Sequence, residues 1–248
     1  ARGAAAWRWA VKAQHSSATG VWGTARELVD LVRATLGGID LDPFTDAAWN
    51  AIVGADRIIT AREDAFRCAW FDEGPTAREI LAGDLTAWET PARPATAIVN
   101  GPGDPSGDAI KRAWRLTEWY HRNGFLAGGA VWIAFNVGQL QTLQNAGAPR
   151  SLLSFPLLIA SSRVRYLESP ATAASRARKL ADVERALRKA TGARAKRLRA
   201  QASRLAGGAA APPHASAVTL LPAHDPTEAD RQRAIFAAVG GRLGEVRL

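Results

Sequence analysis

A β-rich run, Thr96-Ala97-Ile98-Val99, stops at Asn100-Gly101-Pro102-Gly103, four residues with no tendency to continue a strand or begin a helix. The segments on either side of this strand end decide which kind of sheet it belongs to. Upstream, Leu28, Val29, Leu31 and Val32 give a partly amphipathic helix over residues 24–36, with Thr24 as its cap and Gly37-Gly38 as its stop. A short strand over 39–43 follows, then a loop and short helix over 44–54 with Trp49 and Ile52 facing inward, and a polar, irregular stretch over 61–80. Downstream, a helix over 108–120 leads to a strand over 130–135, a short helix over 137–144 and two further strands over 155–159 and 164–167. Residues 218–221 read as an edge strand, and Thr227 caps a last helix carrying Ile235, Phe236 and Val239. Strands alternating with helices predict an α/β layered domain with a mainly parallel sheet and helices on both faces.

The charge is distributed unevenly. The net charge is +9, and residues 176–204 hold eleven basic side chains against only Asp182 and Glu184, so this stretch accounts for the imbalance. All nine tryptophans lie between Trp7 and Trp132, which puts an aromatic globular part in front of a basic rear. The expected organisation is an arm over 1–20, a catalytic-type domain over 21–170, a basic helical insertion and linker over 171–210, and a segment over 211–248 that packs back on the core. Leu180, Val183, Leu187 and Leu198 are spaced for a long helix or a hairpin broken near Thr191-Gly192. The basic stretch reads either as a phosphate-binding surface or as a solvated or partner-binding helical face.

Several chemistries are disfavoured. The longest apolar run, 125–135, is half of a bilayer span and is broken by Gly128 and Gly129, so it reads as a buried strand and no membrane association is expected. The N-terminal segment has no secretory apolar core, and a cytoplasmic location is expected. One cysteine, Cys68, forms no internal disulfide and reads as a small buried hydrophobe, and the four histidines show no ligand spacing, so no metal is expected. Ser106, Asp108 and His121 lack a nucleophile-elbow setting.

Ligands of open α/β sheets collect beyond the carboxyl ends of strands. Three such ends stand out: Asp40-Leu41-Asp42-Pro43, Gly83-Asp84 and Asn100-Gly101-Pro102. Carboxylates beside a backbone loop suit a ligand with ribose hydroxyls and positive charge.

In their order these parts resemble the phage-type (Dam-like) DNA adenine-N6 methyltransferases. The matching segments are Val21-Trp22-Gly23-Thr24, Ile39-Asp40-Leu41-Asp42-Pro43-Phe44 with Asn50 downstream, Gly83-Asp84-Leu85-Thr86-Ala87-Trp88, Ile98-Val99-Asn100-Gly101-Pro102-Gly103 and Ala130-Val131-Trp132-Ile133-Ala134-Phe135-Asn136. Phe155-Pro156-Leu157 and Arg163-Val164-Arg165-Tyr166 resemble the distal strands. The resemblance spans residues 21–168 and, weakly, 212–246, and 171–206 looks like an insertion.

The resemblance implies a Rossmann-like sheet, S-adenosylmethionine as cofactor and double-stranded DNA as partner. It assigns Asn100, Gly101 and Pro102 to catalysis. The Asn100 side-chain oxygen and the Gly101 carbonyl would accept the two N–H bonds of the adenine amine. Trp22 and Thr24 would line the methionine end of the cofactor, Asp42, Pro43 and Phe44 the loop around it, Asp40 a supporting or direct position, and Asp84 the adenine or ribose end. A flipped base costs a few kcal/mol. Phosphate contacts would offset it, from Arg163 and Arg165 near the pocket and from Arg176, Arg178, Lys179, Arg185, Arg188, Lys189, Arg194, Lys196, Arg197 and Arg199 on the basic stretch.

Two positions depart from the family pattern. Gly101 stands where proline is usual, and Gly103 where an aromatic often stacks on the base, so base capture comes from elsewhere, for instance Trp114, Phe135 or Asn136, or is weaker. A methyltransferase-like protein that binds DNA or a protein partner without turnover is the other reading.

Overall fold

The structure, a computed structural model, describes residues 22–83, 85, 88–89, 91–102, 106–134, 137–161, 167–168, 170–206 and 216–248. The arm over 1–20, together with Asp84, Gly103, Phe135, Asn136, Arg163 and Arg165, lies outside the described residues.

After a two-residue strand β1 (Trp22–Gly23), helix α1 (Arg26–Leu36) presents Leu28, Val29, Leu31, Val32 and Leu36 as one buried face. It stops where expected: Gly37 adopts φ +79°, a conformation that suits glycine, and its N–H closes on the Arg33 carbonyl. Strand β2 (Leu41–Asp42) and helix α2 (Ala47–Val53) follow, the helix capped by Asp46, whose carboxylate accepts from the Trp49 N–H. Strand β3 (Arg57–Ile58) precedes the irregular stretch, which ends in helix α3 (Ala77–Ala82) behind a capping box of Thr76 and Glu79. Strand β4 (Thr96–Val99), helix α4 (Asp108–Arg122) and strand β5 (Gly129–Ala134) form the centre, and every residue of β5 is buried. Helix α5 (Gly138–Gln144), strand β6 (Leu157–Ala160) and strand β7 (Leu167–Glu168) lead into the basic helices α6 (Pro170–Leu187) and α7 (Gly192–Ala206). Strand β8 (Ala217–Leu221), helix α8 (Pro226–Gly240) and strand β9 (Gly244–Arg247) complete the chain.

The fold is α/β. Seven strands form one sheet in the order β3-β2-β4-β5-β8-β6-β9, and β1 pairs with β7 in a separate two-stranded ribbon. The expected mainly parallel sheet is corrected to a mixed one. The pairs β3–β2, β2–β4 and β4–β5 are parallel, whereas β5–β8, β8–β6 and β6–β9 are antiparallel. Apolar patterning fixes which side of a strand is buried and not the direction in which it runs. The same limit misplaced 218–221: β8 is an interior strand wedged between β5 and β6, buried along its whole length, and the true edge on that side is β9.

Two apolar layers sandwich the sheet, as the alternation of side chains requires. Ala97, Val99, Ala130, Trp132 and Ala134 face a layer completed by Ile110, Trp114, Leu116 and Tyr120 of α4. Ile98, Val131, Ile133, Val218 and Leu220 face Leu28, Leu31 and Val32 of α1 and Phe236 of α8. Trp49 and Ile52 are only partly buried, so the inward reading of α2 holds in part. Asp225, not Thr227, caps α8, accepting from the Glu228 N–H at 2.8 Å. Among the described residues no helix is long and apolar enough to cross a membrane.

Candidate functional site

The chain progresses outward from the middle of the parallel half in two directions. From β2 it moves to β3 on one side, and from β4 to β5 on the other. The order therefore reverses between β2 and β4, and the region beyond the carboxyl ends of strands at such a reversal is where open α/β sheets take ligands. Asp42 ends β2, and Asn100 follows the last residue of β4.

Register puts the two residues on one side. Leu41 pairs with Ala97, and both belong to the α4 layer, so Asp42 and Ile98 point to the α1 side and Asn100, two residues on, follows Ile98. The Asn100 amide nitrogen donates to the Thr24 hydroxyl at 3.2 Å. Thr24 is buried and sits just ahead of α1. It does not cap that helix, where Ala25 occupies the capping position, so its hydroxyl serves Asn100 instead. The contact joins residues 76 apart in sequence and orients the amide with its oxygen turned from Thr24.

Asp42 is 2% exposed. The Phe44 N–H donates to its Oδ1 at 3.2 Å and the Thr45 hydroxyl also bonds it. Burial outweighs both bonds and pushes the carboxyl up to about 7. A carboxyl held near neutrality in this way gains from any cation brought beside it. Pro43 is buried behind it.

Phe44 contributes its backbone and not its ring. The ring packs on Phe66 at 5.3 Å and edge-on to Trp70 at 5.8 Å, inside the aromatic core. Asp40 is placed differently from the expectation. Its Oδ2 accepts from the Thr96 N–H at 2.7 Å and hydroxyl at 2.9 Å, which clamps the amino end of β2 to that of β4. Arg93 lies 3.4 Å from its other oxygen. Asp40 is thus a strand-to-strand tie turned from the carboxyl ends. Trp22 is described only in its backbone, paired with Glu168.

Gly101 and Pro102 are half-buried after Asn100. A Cβ on Gly101 would meet the Trp132 ring at 3.1 Å and the Ala113 methyl at 3.4 Å, so the indole lies directly on this backbone. Gly23 carries a similar constraint, since a Cβ there would come within 2.4 Å of the Trp49 ring. The indole nitrogens of Trp49 and Trp132 are buried without a hydrogen-bond partner. The sequence placed neither tryptophan against a glycine, because only the folded register brings them together. Trp114, considered for base capture, is fully buried and donates to the Arg150 carbonyl, so that role does not suit it. Arg112 of α4 was also missed; its guanidinium stacks 4.3 Å above Phe66, whose ring touches Phe44.

Along the basic segment, α6 and α7 fold back on each other as a hairpin, with Val183 and Ala195 buried in the seam. Arg176 is partly buried and donates to the Leu205 carbonyl at 2.7 Å, closing the hairpin's open end. Arg178, Lys179, Arg185, Arg188, Lys189, Arg194, Lys196, Arg197 and Arg199 are exposed, and of these Arg185 pairs with Asp182 at 3.4 Å. Among the described residues no three His, Cys, Asp or Glu side chains group as a metal site.

Against protein-family models, curated proteins and solved structures, the chain gives no match.

Proposed function

We propose that this chain is an S-adenosylmethionine-dependent methyltransferase acting on the N6 amine of adenine in double-stranded DNA, built on a Rossmann-like sheet. One observation carries the reading: Asp42 and the Asn100–Thr24 pair share the carboxyl ends of neighbouring strands at the point where strand order reverses. The donor set fits the cofactor. A buried carboxyl poised near neutrality is suited to a ligand carrying positive charge, and Thr24 stands on the same side. When bound, S-adenosylmethionine supplies an electrophilic methyl group.

The remaining work falls to the chain's own residues. The adenine amine is a weak nucleophile because its lone pair is delocalised into the ring. The Asn100 Oδ1 and the Gly101 carbonyl oxygen accept its two N–H bonds, draw the nitrogen toward tetrahedral geometry and localise the lone pair. Thr24 holds the Asn100 amide so that this geometry exists before substrate arrives, which lowers the reorganisation required. Trp132 and Ala113 back the Gly101 peptide and limit its movement, taking over a constraint that proline would supply. The exposed cations of α6 and α7 bind DNA phosphates without reading sequence.

Transfer of a tritiated methyl group to unmethylated duplex DNA tests the proposal. Asn100→Ala should abolish transfer while cofactor binding persists. DNA binding with no transfer by the unaltered chain would replace the enzymatic reading with that of a DNA-binding protein. Unchanged transfer in Asn100→Ala would remove Asn100 from the mechanism.

A further inference from the structure

The opposite end of the sheet carries a second constellation. Beyond the amino ends of β5 and β6 lies an open cleft of about 270 Å3, lined among others by His121, Arg150, Ser154, Phe155, His224 and Arg233. Four separate segments converge there. His121 comes from the last turn of α4, Arg150 and Ser154 from the stretch between α5 and β6, His224 from the turn after β8, and Arg233 from α8. The turn is anchored by the His224 N–H, which donates to the Ala127 carbonyl just ahead of β5.

The hydrogen bonds inside the cleft fix its polarity. His121 Nε2 lies 2.7 Å from the Pro222 carbonyl oxygen, an acceptor, so this nitrogen carries the ring proton. Its Nδ1 therefore accepts from the Arg150 guanidinium at 3.0 Å. The His224 ring stands edge-on to His121 with centroids 4.8 Å apart. Arg150 also donates through Nε to Glu118 Oε1 at 2.8 Å and stacks 5.0 Å over the Phe155 ring.

Charge does not balance. Glu118 is fully buried beneath the cleft and is met by two guanidiniums, those of Arg150 and, at 3.4 Å, Arg122. Arg233 adds a third cation, and its partner Asp230 is 81% exposed on the outer side of α8. No carboxylate lines the cleft among the described residues. Positive charge therefore exceeds negative around a concave surface that also offers a serine hydroxyl and the flat, apolar edge of Phe155, Pro156 and Pro222.

We propose that this cleft binds a small oxyanion, a phosphate or carboxylate group, held by Arg233, Ser154 and the outward side of Arg150. The site lies away from Asp42 and Asn100 and is independent of the methyltransferase reading. Burial and the Arg150 charge both shift its two imidazoles toward the neutral form. An anion seated beside them reverses that balance, so binding is reported by the histidines themselves.

The test titrates the full chain with inorganic phosphate against chloride at matched ionic strength, following imidazole C–H resonances. Saturable shifts of His121 and His224 are expected. Arg233 is partly exposed and away from the core, so Arg233→Ala should fold and weaken binding about tenfold, the effect of removing one charge-assisted hydrogen bond. Arg150→Ala is unsuitable as the sole variant because it strips a buried carboxylate of a partner; Ser154→Ala supplies the second probe and should also weaken binding. Adenosine 5′-monophosphate and a short DNA duplex distinguish the source of the anion. Binding of the mononucleotide or free phosphate sustains the proposal. Absence of saturation, unaltered affinity in Arg233→Ala, or a response to the duplex alone overturns it.

Discussion

Asp42 has the least ordinary environment among the candidate site residues. Unfolded, its carboxyl ionises near the usual value of about 4; folded, burial carries it to about 7. Between these limits the folded chain holds a proton that the unfolded chain has released, so this residue makes stability fall as pH rises through the window. Asp42→Asn keeps an acceptor for the Phe44 N–H and removes the ionisation. It should stabilise the fold above pH 7 by up to about 4 kcal/mol, and the gain should vanish below about pH 4. Denaturant unfolding at several pH values checks both limits. A bound cation would draw the carboxyl down again, so cofactor binding near pH 7 should release up to about half a proton. Calorimetry in buffers of different ionisation enthalpy measures it; no buffer dependence would separate Asp42 from the bound charge. Gly23 makes a steric prediction. Gly23→Ala drives a methyl into the Trp49 ring and should cost about 1–3 kcal/mol in unfolding measurements. Asp42 and Asn100 were legible as candidates because turn-forming residues follow each at once. The tryptophans behind them were not, because which indole lies on which glycine depends on register and on a helix remote in sequence.

At the level of elements, what was legible follows the physics of each signal. β4 matches its reading residue for residue, because β-branched and apolar residues meet a forced turn at a sharp boundary. The α1 stop and the break between α6 and α7 were legible for the same reason: Gly37 and Gly192 both adopt positive φ. The direction of β8 was not, since five consecutive buried residues look the same in either orientation. β9 escaped notice because its Gly-Glu-Val-Arg alternation is short and half exposed, as an edge strand's is. The α6–α7 hairpin is closed by its own apolar seam and by the Arg176–Leu205 bond. Replacing residues 170–206 by a short flexible linker should therefore shift the melting temperature by only a few degrees. If the hairpin is the phosphate-binding surface, the same deletion should flatten the salt dependence of DNA affinity, by about 0.9 in logarithmic slope for each phosphate no longer neutralised. Fluorescence anisotropy across a salt series reads this, and an unchanged slope would assign the DNA surface elsewhere.

Across the whole molecule, two buried titratable groups at opposite ends of one sheet act on stability with opposite sign. His121 is held down to about 4, chiefly by burial, against about 6.5 in an unfolded chain. Below pH 6.5 the unfolded chain takes the proton first, so His121 makes stability fall as pH falls, by on the order of 3 kcal/mol once pH 4 is passed. Asp42 does the reverse over nearly the same range, gaining relative stability as pH falls. The two slopes oppose each other between about pH 4 and 6.5, and the intact chain should show a flatter profile there than either group alone dictates. Single variants separate them. His121→Gln retains a donor for the Pro222 carbonyl and an acceptor for Arg150, and should leave a chain whose stability declines as pH rises through the window. Asp42→Asn should leave one whose stability climbs. Because the groups share no hydrogen-bond partner, the double variant should be additive within about 0.5 kcal/mol at each pH. Denaturant unfolding of all four chains decides it. Coupling much larger than that would mean that the carboxyl-end site and the amino-end cleft communicate through β4 and β5, and would make occupancy of one a determinant of the other.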